Sequence, residues 1–309
     1  MMKVGLYSIT YSGTWYKGEL LSIKEMIRKA KALGYEGIEI DLKRPHGFPL
    51  DLDEKARSEI REFAESEGIE IPAVAGNNNF VSPIPEQREN ELLMLHEQIR
   101  LASDLGAKVL RIFAAWRGVT YRDGIATYDM ILNYEKNQYP DTTKLERWNW
   151  ARECIKEGSE WAEKYKVILA LQNHRPLIEN YEDMVAMVRE VGSDYLKCCL
   201  DAPCEPCQDD DYLIEAVRET GNLQVLSHFN GEWTKDSKGE VVYIKHRPDA
   251  ILANYPVFIK ALKEIGYDGY INYEFCHPAL RDHQAAGIDY IDEQAAYALE
   301  YIRKLIQSA

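Results

Sequence analysis

Residues 167–176 read VILALQNHRP: five apolar residues without a break, three polar ones, then a turn-forming Arg-Pro pair. An apolar run this short and continuous fits a strand buried on both faces, as in parallel sheets covered by helices. Three later segments repeat the pattern of an apolar stretch ending in a polar side chain: CCLDAP (198–203), VLSHFN (225–230) and NYEFCH (272–277). Their polar ends, Gln172, Asp201, His228 and Glu274, are separated by 29, 27 and 46 positions, each gap long enough to return the chain through a helix or long loop. Eight β-rich segments are found in all, near 3–9, 37–41, 69–75, 108–114, 167–173, 196–201, 223–229 and 269–275.

Helical patterns lie between them. LSIKEMIRKAKALG puts Ile23, Met26, Ile27 and Ala30 on one stripe and closes at Gly34; DLDEKARSEIREFAESEG starts acidic and closes at Gly68. A final stripe over 288–307 carries Ile291, Ala295, Ala298, Leu299, Ile302 and Leu305. Eight alternations of strand and helix predict one eight-stranded parallel (β/α)8 barrel over residues 1–309, without a dividing linker. Two insertions exceed what such a barrel needs, near 115–143 and 229–250, and both are expected to hold substrate at the rim.

Lys and Arg number 37 against 51 Asp and Glu, a net charge of −14, which argues against a nucleic-acid partner. No apolar run approaches the roughly 20 residues that cross a bilayer. The opening MMKVGLYSIT lacks the basic and apolar stretches of a secretory signal, and six cysteines in 309 residues make no disulfide framework, so a cytoplasmic location is expected.

A parallel barrel gathers its strand ends at one rim, so Gln172, Asp201, His228 and Glu274 are expected to hold one divalent ion. Each has a plainer use: Gln172 on backbone groups, Asp201 as a cap before Ala-Pro, His228 as a core histidine. Glu274 between aromatic strand residues is the costliest to bury unpaired. His174 shares the strand face of Gln172 and is a candidate base, its ordinary pKa of about 6.5 suiting proton abstraction near neutrality. Loop residues His46 and His277, with Arg111, Trp116 and Tyr121, are candidate substrate contacts; Arg117 and Tyr128 extend that group. Cys204-Glu205-Pro206-Cys207 has redox or zinc spacing but lacks a second pair.

The opening VGLYSIT, the phrase LGYEGIEI and the ends of the last four strands resemble the xylose-isomerase-like barrel superfamily, broadly a group of sugar phosphate isomerases and epimerases. The resemblance implies a metal held by Glu, Asp, His and Glu from those strands, of which the last three fall on Asp201, His228 and Glu274. Gln172 stands in the first place, and an amide cannot accept the proton that a two-carboxylate epimerase needs. The family's histidine three residues after the aspartate is replaced by Cys204. The QNH segment resembles the catalytic subunits of C-glycoside deglycosidases, which enolise a 3-oxo-glycoside and eliminate its aglycone. That branch implies a manganese-type lyase with His174 as base and Glu274 beside the metal; Mg2+, Co2+, Fe2+ and Zn2+ are the other ions to consider. It also implies a sugar or glycoside substrate and an oligomer, with a small β-sandwich subunit as a further partner. The competing reading is a sugar isomerase or epimerase using His174 or Glu274.

Overall fold

A computed structural model describes residues 2–128, 139–245, 247, 250–281 and 283–308. Eight parallel strands close into a barrel: β1 (Lys3–Tyr7), β2 (Gly37–Asp41), β3 (Glu70–Ala75), β4 (Val109–Ile112), β5 (Ile168–Gln172), β6 (Leu196–Cys199), β7 (Gln224–Phe229) and β8 (Tyr270–Tyr273). Helices follow them in turn: α1 (Ile23–Leu33), α2 (Glu54–Glu67), α3 (Pro85–Asp104), α4 (Lys144–Tyr165), α5 (Tyr181–Val191), α6 (Asp210–Thr220), α7 (Tyr255–Glu264) and α8 (Ile288–Ser308). The fold expected from the sequence is the one observed.

Local chemistry explains the boundaries. Ser22 and Glu25 form a reciprocal capping box at the start of α1, and Gly34 ends it at φ 95°, where a Cβ would be strained. Gly68 ends α2 in the same way at φ 71°. Thr143 and Glu146 make a second capping box that starts α4.

Inside the barrel, the two-residue period of the strands sorts side chains into layers. Ala73, Val109, Ala170, Cys199, Leu226 and Tyr270 pack together as an apolar floor. Two residues further along the same strands come Arg111, Gln172, Asp201, His228 and Asn272, all buried, as a polar layer on that floor. Register places Asn272 opposite His228 across the β7–β8 pair. Gly5 on β1 is required here, because a Cβ at that position would overlap the Asn272 amide.

The two insertions take different courses. The first begins with an antiparallel hairpin, Thr120–Arg122 with Ile125–Thr127; its residues 129–138 lie outside the described residues. The second forms a hairpin of Glu232–Lys235 with Val241–Ile244. Trp233 from this hairpin stacks on Tyr243, and its backbone exchanges hydrogen bonds with the Gln294 side chain of α8. That hairpin is therefore fastened to the outer helix α8; residues 246, 248 and 249 of the second insertion lie outside the described residues.

Candidate functional site

The polar layer contains one continuous bonded chain. Gln172 donates its Nε2–H to Asp201 Oδ2, while Gln172 Oε1 is buried without a hydrogen-bond partner. Asp201 Oδ1 accepts the His228 backbone N–H at 2.6 Å, and Asp201 Oδ2 lies 3.0 Å from His228 Nδ1. The far nitrogen of the ring, Nε2, lies 2.8 Å from Glu39 Oε2, which also accepts from Asn272 Nδ2 at 2.6 Å. His228, Asp201 and Glu39 are all fully buried. Burial alone would favour a neutral His228, but the flanking Glu39 and Asp201 carboxylates push its pKa well above the ordinary imidazole value. Burial alone would raise Glu39; the facing His228, with Arg111 and Asn272, holds it below the usual carboxylate range instead.

Cys199, from the floor, brings its Sγ within 3.5 Å of His228 Nδ1. Among the described residues, Cys199, Asp201 and His228 form the cluster whose possible ligand atoms all lie within 4.8 Å of one another. Burial pushes the Cys199 thiol far up, so it acts as a neutral packing group that donates weakly to Asp201 Oδ1.

Gln172, His174 and Glu274 line one cleft at the carboxyl ends of the strands. Glu274 keeps partial exposure there. Burial pushes its carboxyl up, against the pull of His228 and with Asp201 adding to the rise. The His174 Nδ1 lies 2.6 Å from the Arg175 carbonyl oxygen, which can only accept; Nδ1 therefore carries the proton and Nε2 the lone pair. Its ring packs edge-on against Phe113 at 4.7 Å and Trp116 at 5.2 Å. Burial pushes the His174 pKa down to about 4. The sequence expectation of titration near the ordinary imidazole value is corrected accordingly, because the aromatic wall desolvates the ring.

Asn173, on the opposite face of the strand, fixes the positions of its neighbours. Its Oδ1 accepts the Asp201 N–H at 2.9 Å and its Nδ2 donates to the Asp201 carbonyl at 3.0 Å, riveting the ends of β5 and β6 together. Nδ2 also donates to Glu205 Oε1 at 2.6 Å, and Tyr212 closes the network on Glu205 Oε2.

The candidate substrate contacts divide. Trp116 lines the cleft, stacked on Phe113 at 4.7 Å, as do Arg111 and Tyr128. Arg111 is buried and committed to the protein: one terminal nitrogen donates to the Gly76 carbonyl at 2.7 Å, the other to the Tyr7 hydroxyl at 2.8 Å. Tyr121, at 58% exposure on the first hairpin, is not among the cleft walls. His46 turns away, its Nε2 on the Leu21 carbonyl at 2.8 Å. His277 pairs with Glu232 at 3.1 Å and stacks against Phe275. Cys204 and Cys207 are free thiols.

Sequence reasoning missed the contribution of the early strands. Glu39, Asp41, Lys43 and Asn77 come from β2 and the turns after β2 and β3. The Asp41 Oδ1 accepts from Tyr7 and from Asn77 at 2.9 Å, and Lys43 stands 3.4 Å from its Oδ2. The available signal was GIEID itself, two carboxylates at i and i+2 in an otherwise apolar strand.

A hollow of about 500 Å³ lies at the opposite end of the barrel, between α2, β3 and the turn after α3. It adjoins none of the residues above.

Solved structures similar to this chain include D-psicose 3-epimerase from Clostridium cellulolyticum H10, at 20% identity and TM-score 0.72, covering 99% of both chains. The 3-keto-D-glucoside 4-epimerase from E. coli aligns at 17% identity and TM-score 0.68, over 98% of this chain and 100% of that one. The IOLI protein, solved with a binding zinc atom, aligns at 17% identity and TM-score 0.67, over 98% and 96%. At these identities the likeness establishes the fold. No curated protein sequence matches the chain significantly. No described helix is long and apolar enough to cross a membrane. The model of the xylose isomerase-like TIM barrel family matches residues 27–305, and the chain belongs to that family.

Proposed function

We propose that the protein is a divalent-metal-dependent enzyme that moves a proton on the carbon beside a sugar carbonyl, the chemistry of a sugar isomerase or epimerase. The observation carrying this reading is that Gln172, His174 and Glu274 line one cleft walled by aromatic rings, and that Gln172 is bonded through Asp201 to the buried His228 directly behind it. The side chains fit a metal ion. Gln172 Oε1 is a buried oxygen in need of a partner, and the carboxylates of Asp201 and Glu39 flank the two ring nitrogens of His228, a place where positive charge is favoured. Gln172, Asp201, His228 and Glu274 would hold the ion, with two carboxylates matching its charge. When bound, it polarises a sugar oxygen and acidifies the adjacent C–H.

The remaining steps belong to the chain. His174, held neutral with its lone pair on Nε2, accepts the proton. Glu274, just beyond a strand three places round the barrel, meets the cleft from another direction. Phe113, Trp116, Trp15 and Tyr128 offer faces for the C–H side of a sugar ring and exclude water. Within the cleft, Arg111 is committed to Gly76 and Tyr7, and Lys43 sits beside Asp41, so neither cation is placed to hold a phosphate there. The substrate class proposed is a keto sugar or its glycoside. The relatives named D-psicose 3-epimerase and 3-keto-D-glucoside 4-epimerase support that class.

One feature favours a second reading, the elimination of an aglycone from a 3-oxo-glycoside. Gln172 cannot accept a proton, whereas elimination needs only one base. His174 takes the C2 proton, and the C1 substituent leaves with its bonding electron pair.

Solvent deuterium exchange into ketoses and 3-oxo-glucosides, followed by NMR with and without Mn2+, tests both readings. Metal-dependent exchange is expected, and His174→Ala should keep its metal while exchange falls about 10²–10⁴-fold. An epimer or isomer as product supports the first reading; a released aglycone supports the second. A metal-loaded protein that exchanges none of these substrates would overturn both.

A further inference from the structure

The walls of the cleft differ in how their hydrogen-bond donors are used. On most of them the donors are spent within the protein: Tyr7 and Asn77 bond Asp41, Lys43 pairs with it, and Gln172 Nε2 bonds Asp201. Arg111 keeps Nε unpaired, but its guanidinium carbon lies 4.0 Å from the Phe113 ring centroid. The wall made by Trp15 and Tyr128 is different. The hairpin after β4 reaches across to build it: Ala126 donates its N–H to the Thr14 carbonyl at 2.7 Å, and the Ala279 N–H holds the Trp15 carbonyl at 2.8 Å. Tyr128 packs on Trp15, ring centroids 5.2 Å apart, with its hydroxyl 3.5 Å from the Cys276 carbonyl oxygen. That contact is longer than the roughly 2.5–3.0 Å of an ordinary O–H···O bond, and the hydroxyl makes no other among the described residues. Trp15 is 2% exposed, and its Nε1–H has no hydrogen-bond partner. A tyrosine hydroxyl and an indole N–H usually find an acceptor when buried; here neither has a good one.

We propose that Tyr128 is a further substrate-binding residue, whose hydroxyl donates to one hydroxyl oxygen of a 3-oxo-glucoside on the side of the cleft opposite His174. The inference rests on the sugar reading above and deepens it, because it names a residue that selects the sugar by its hydroxyl pattern. Position is the first support. Trp15 follows β1 and His174 follows β5, strands that stand four places apart in either direction round the closed barrel. A sugar whose C–H faces His174 therefore turns its far side to Tyr128. Charge is the second. Burial pushes the Tyr128 pKa well above that of an ordinary phenol, so the group stays neutral and donates, which suits an uncharged oxygen. The third is the match of donors to acceptors. A sugar hydroxyl carries two lone pairs, as many as the O–H of Tyr128 and the N–H of Trp15 require. A site that hydrogen-bonds a hydroxyl also rejects analogues lacking it more strongly than an apolar wall does.

The test is solvent deuterium exchange, followed by NMR, into methyl 3-oxo-β-D-glucopyranoside and its 2-, 4- and 6-deoxy forms, with manganese-loaded native protein and Tyr128→Phe. Phenylalanine keeps the ring against Trp15 and removes only the hydroxyl, so metal content and circular dichroism should match the native protein. On the parent sugar, kcat/KM for exchange should fall about tenfold in the variant, the factor given by roughly 1.4 kcal/mol and near the upper worth of a neutral hydrogen bond. On the one deoxy form that lacks the contacted hydroxyl, native and variant should exchange at the same rate. On the other two the gap should persist. A loss of packing alone would slow all four sugars alike. Equal rates on the parent sugar, or the same gap on all four, would overturn the assignment, as would a native protein that does not exchange the parent sugar. Failure of the underlying sugar reading has a separate signature, the absence of metal-dependent exchange in any ketose or 3-oxo-glucoside.

Discussion

The two halves of the barrel contribute polar groups in different ways. From β5 to β8, polar side chains end apolar runs: Gln172, Asp201, His228 and Glu274 all stand within two residues of a strand's end. From β1 to β4, Asp41 and Arg111 stand equally near their strand ends and Glu39 sits one side-chain layer deeper, and the bonds of all three go to other side chains or backbone. The late half supplies the chain from Gln172 through Asp201 to His228, and the early half braces it from behind. Glu39 is the clearest link, since it reaches across the interior to the far nitrogen of His228. A carboxylate in that position orients an imidazole and strengthens it as a ligand.

The comparison is tested most severely by removing late-half groups. Asp201→Ala or His228→Ala should reduce bound metal from stoichiometric to near zero by elemental analysis, with Mn2+ supplied during purification. Each leaves a buried partner uncompensated, so thermal unfolding should also come earlier. Full occupancy in both folded variants would remove the metal site proposed here.

An early-half residue should act at one remove. Glu39→Gln retains an amide oxygen beside His228 Nε2 and Asn272 but loses the charge. Metal affinity is expected to fall about 10–100-fold, the usual cost of losing a supporting carboxylate, with the fold intact by circular dichroism. Titration calorimetry with Mn2+ measures it. A loss as complete as that of His228→Ala would make Glu39 a ligand and erase the distinction between the halves. No change would reduce it to packing.

That asymmetry also explains what could be read in the sequence. Strand positions, the barrel and the late-half ends were legible because a polar residue closing an apolar run such as VILAL stands out. Glu39 and Asp41 were not, because the alternation in GIEID is also what a strand with one wet face produces. Only closure of the barrel turns that face inward. Arg111 was legible as a cleft residue, but its bonds to Gly76 and Tyr7 depend on contacts 35 and 104 positions away. His46 and His277 lie on loops, and no strand or helix period predicts that their rings settle on Leu21 and Glu232.

The smallest expected effect lies beneath the early-half rim and concerns stability. Glu91 on α3 accepts the Asn79 N–H at 3.2 Å; Asn79 bridges to Ala115, and the neighbouring Asn78 carbonyl accepts the Trp116 N–H at 2.7 Å. This carboxyl thus props the turn that carries the aromatic wall. Burial pushes its pKa from 4.5 up to about 7. A carboxyl whose folded pKa is raised contributes stability that is fully present below its unfolded pKa and is lost as pH climbs through the folded value. The native protein should therefore lose stability between about pH 4.5 and pH 7 on account of this group. Glu91→Gln keeps an acceptor for Asn79 but cannot ionise, so it should escape that loss. Urea unfolding at pH 4.5 and pH 8 should show the variant gaining about 1–2 kcal/mol over the native protein at the higher pH, with little difference at the lower. An equal difference at both pH values would mean that Glu91 titrates as an ordinary surface carboxylate and that the early-half rim does not depend on its proton.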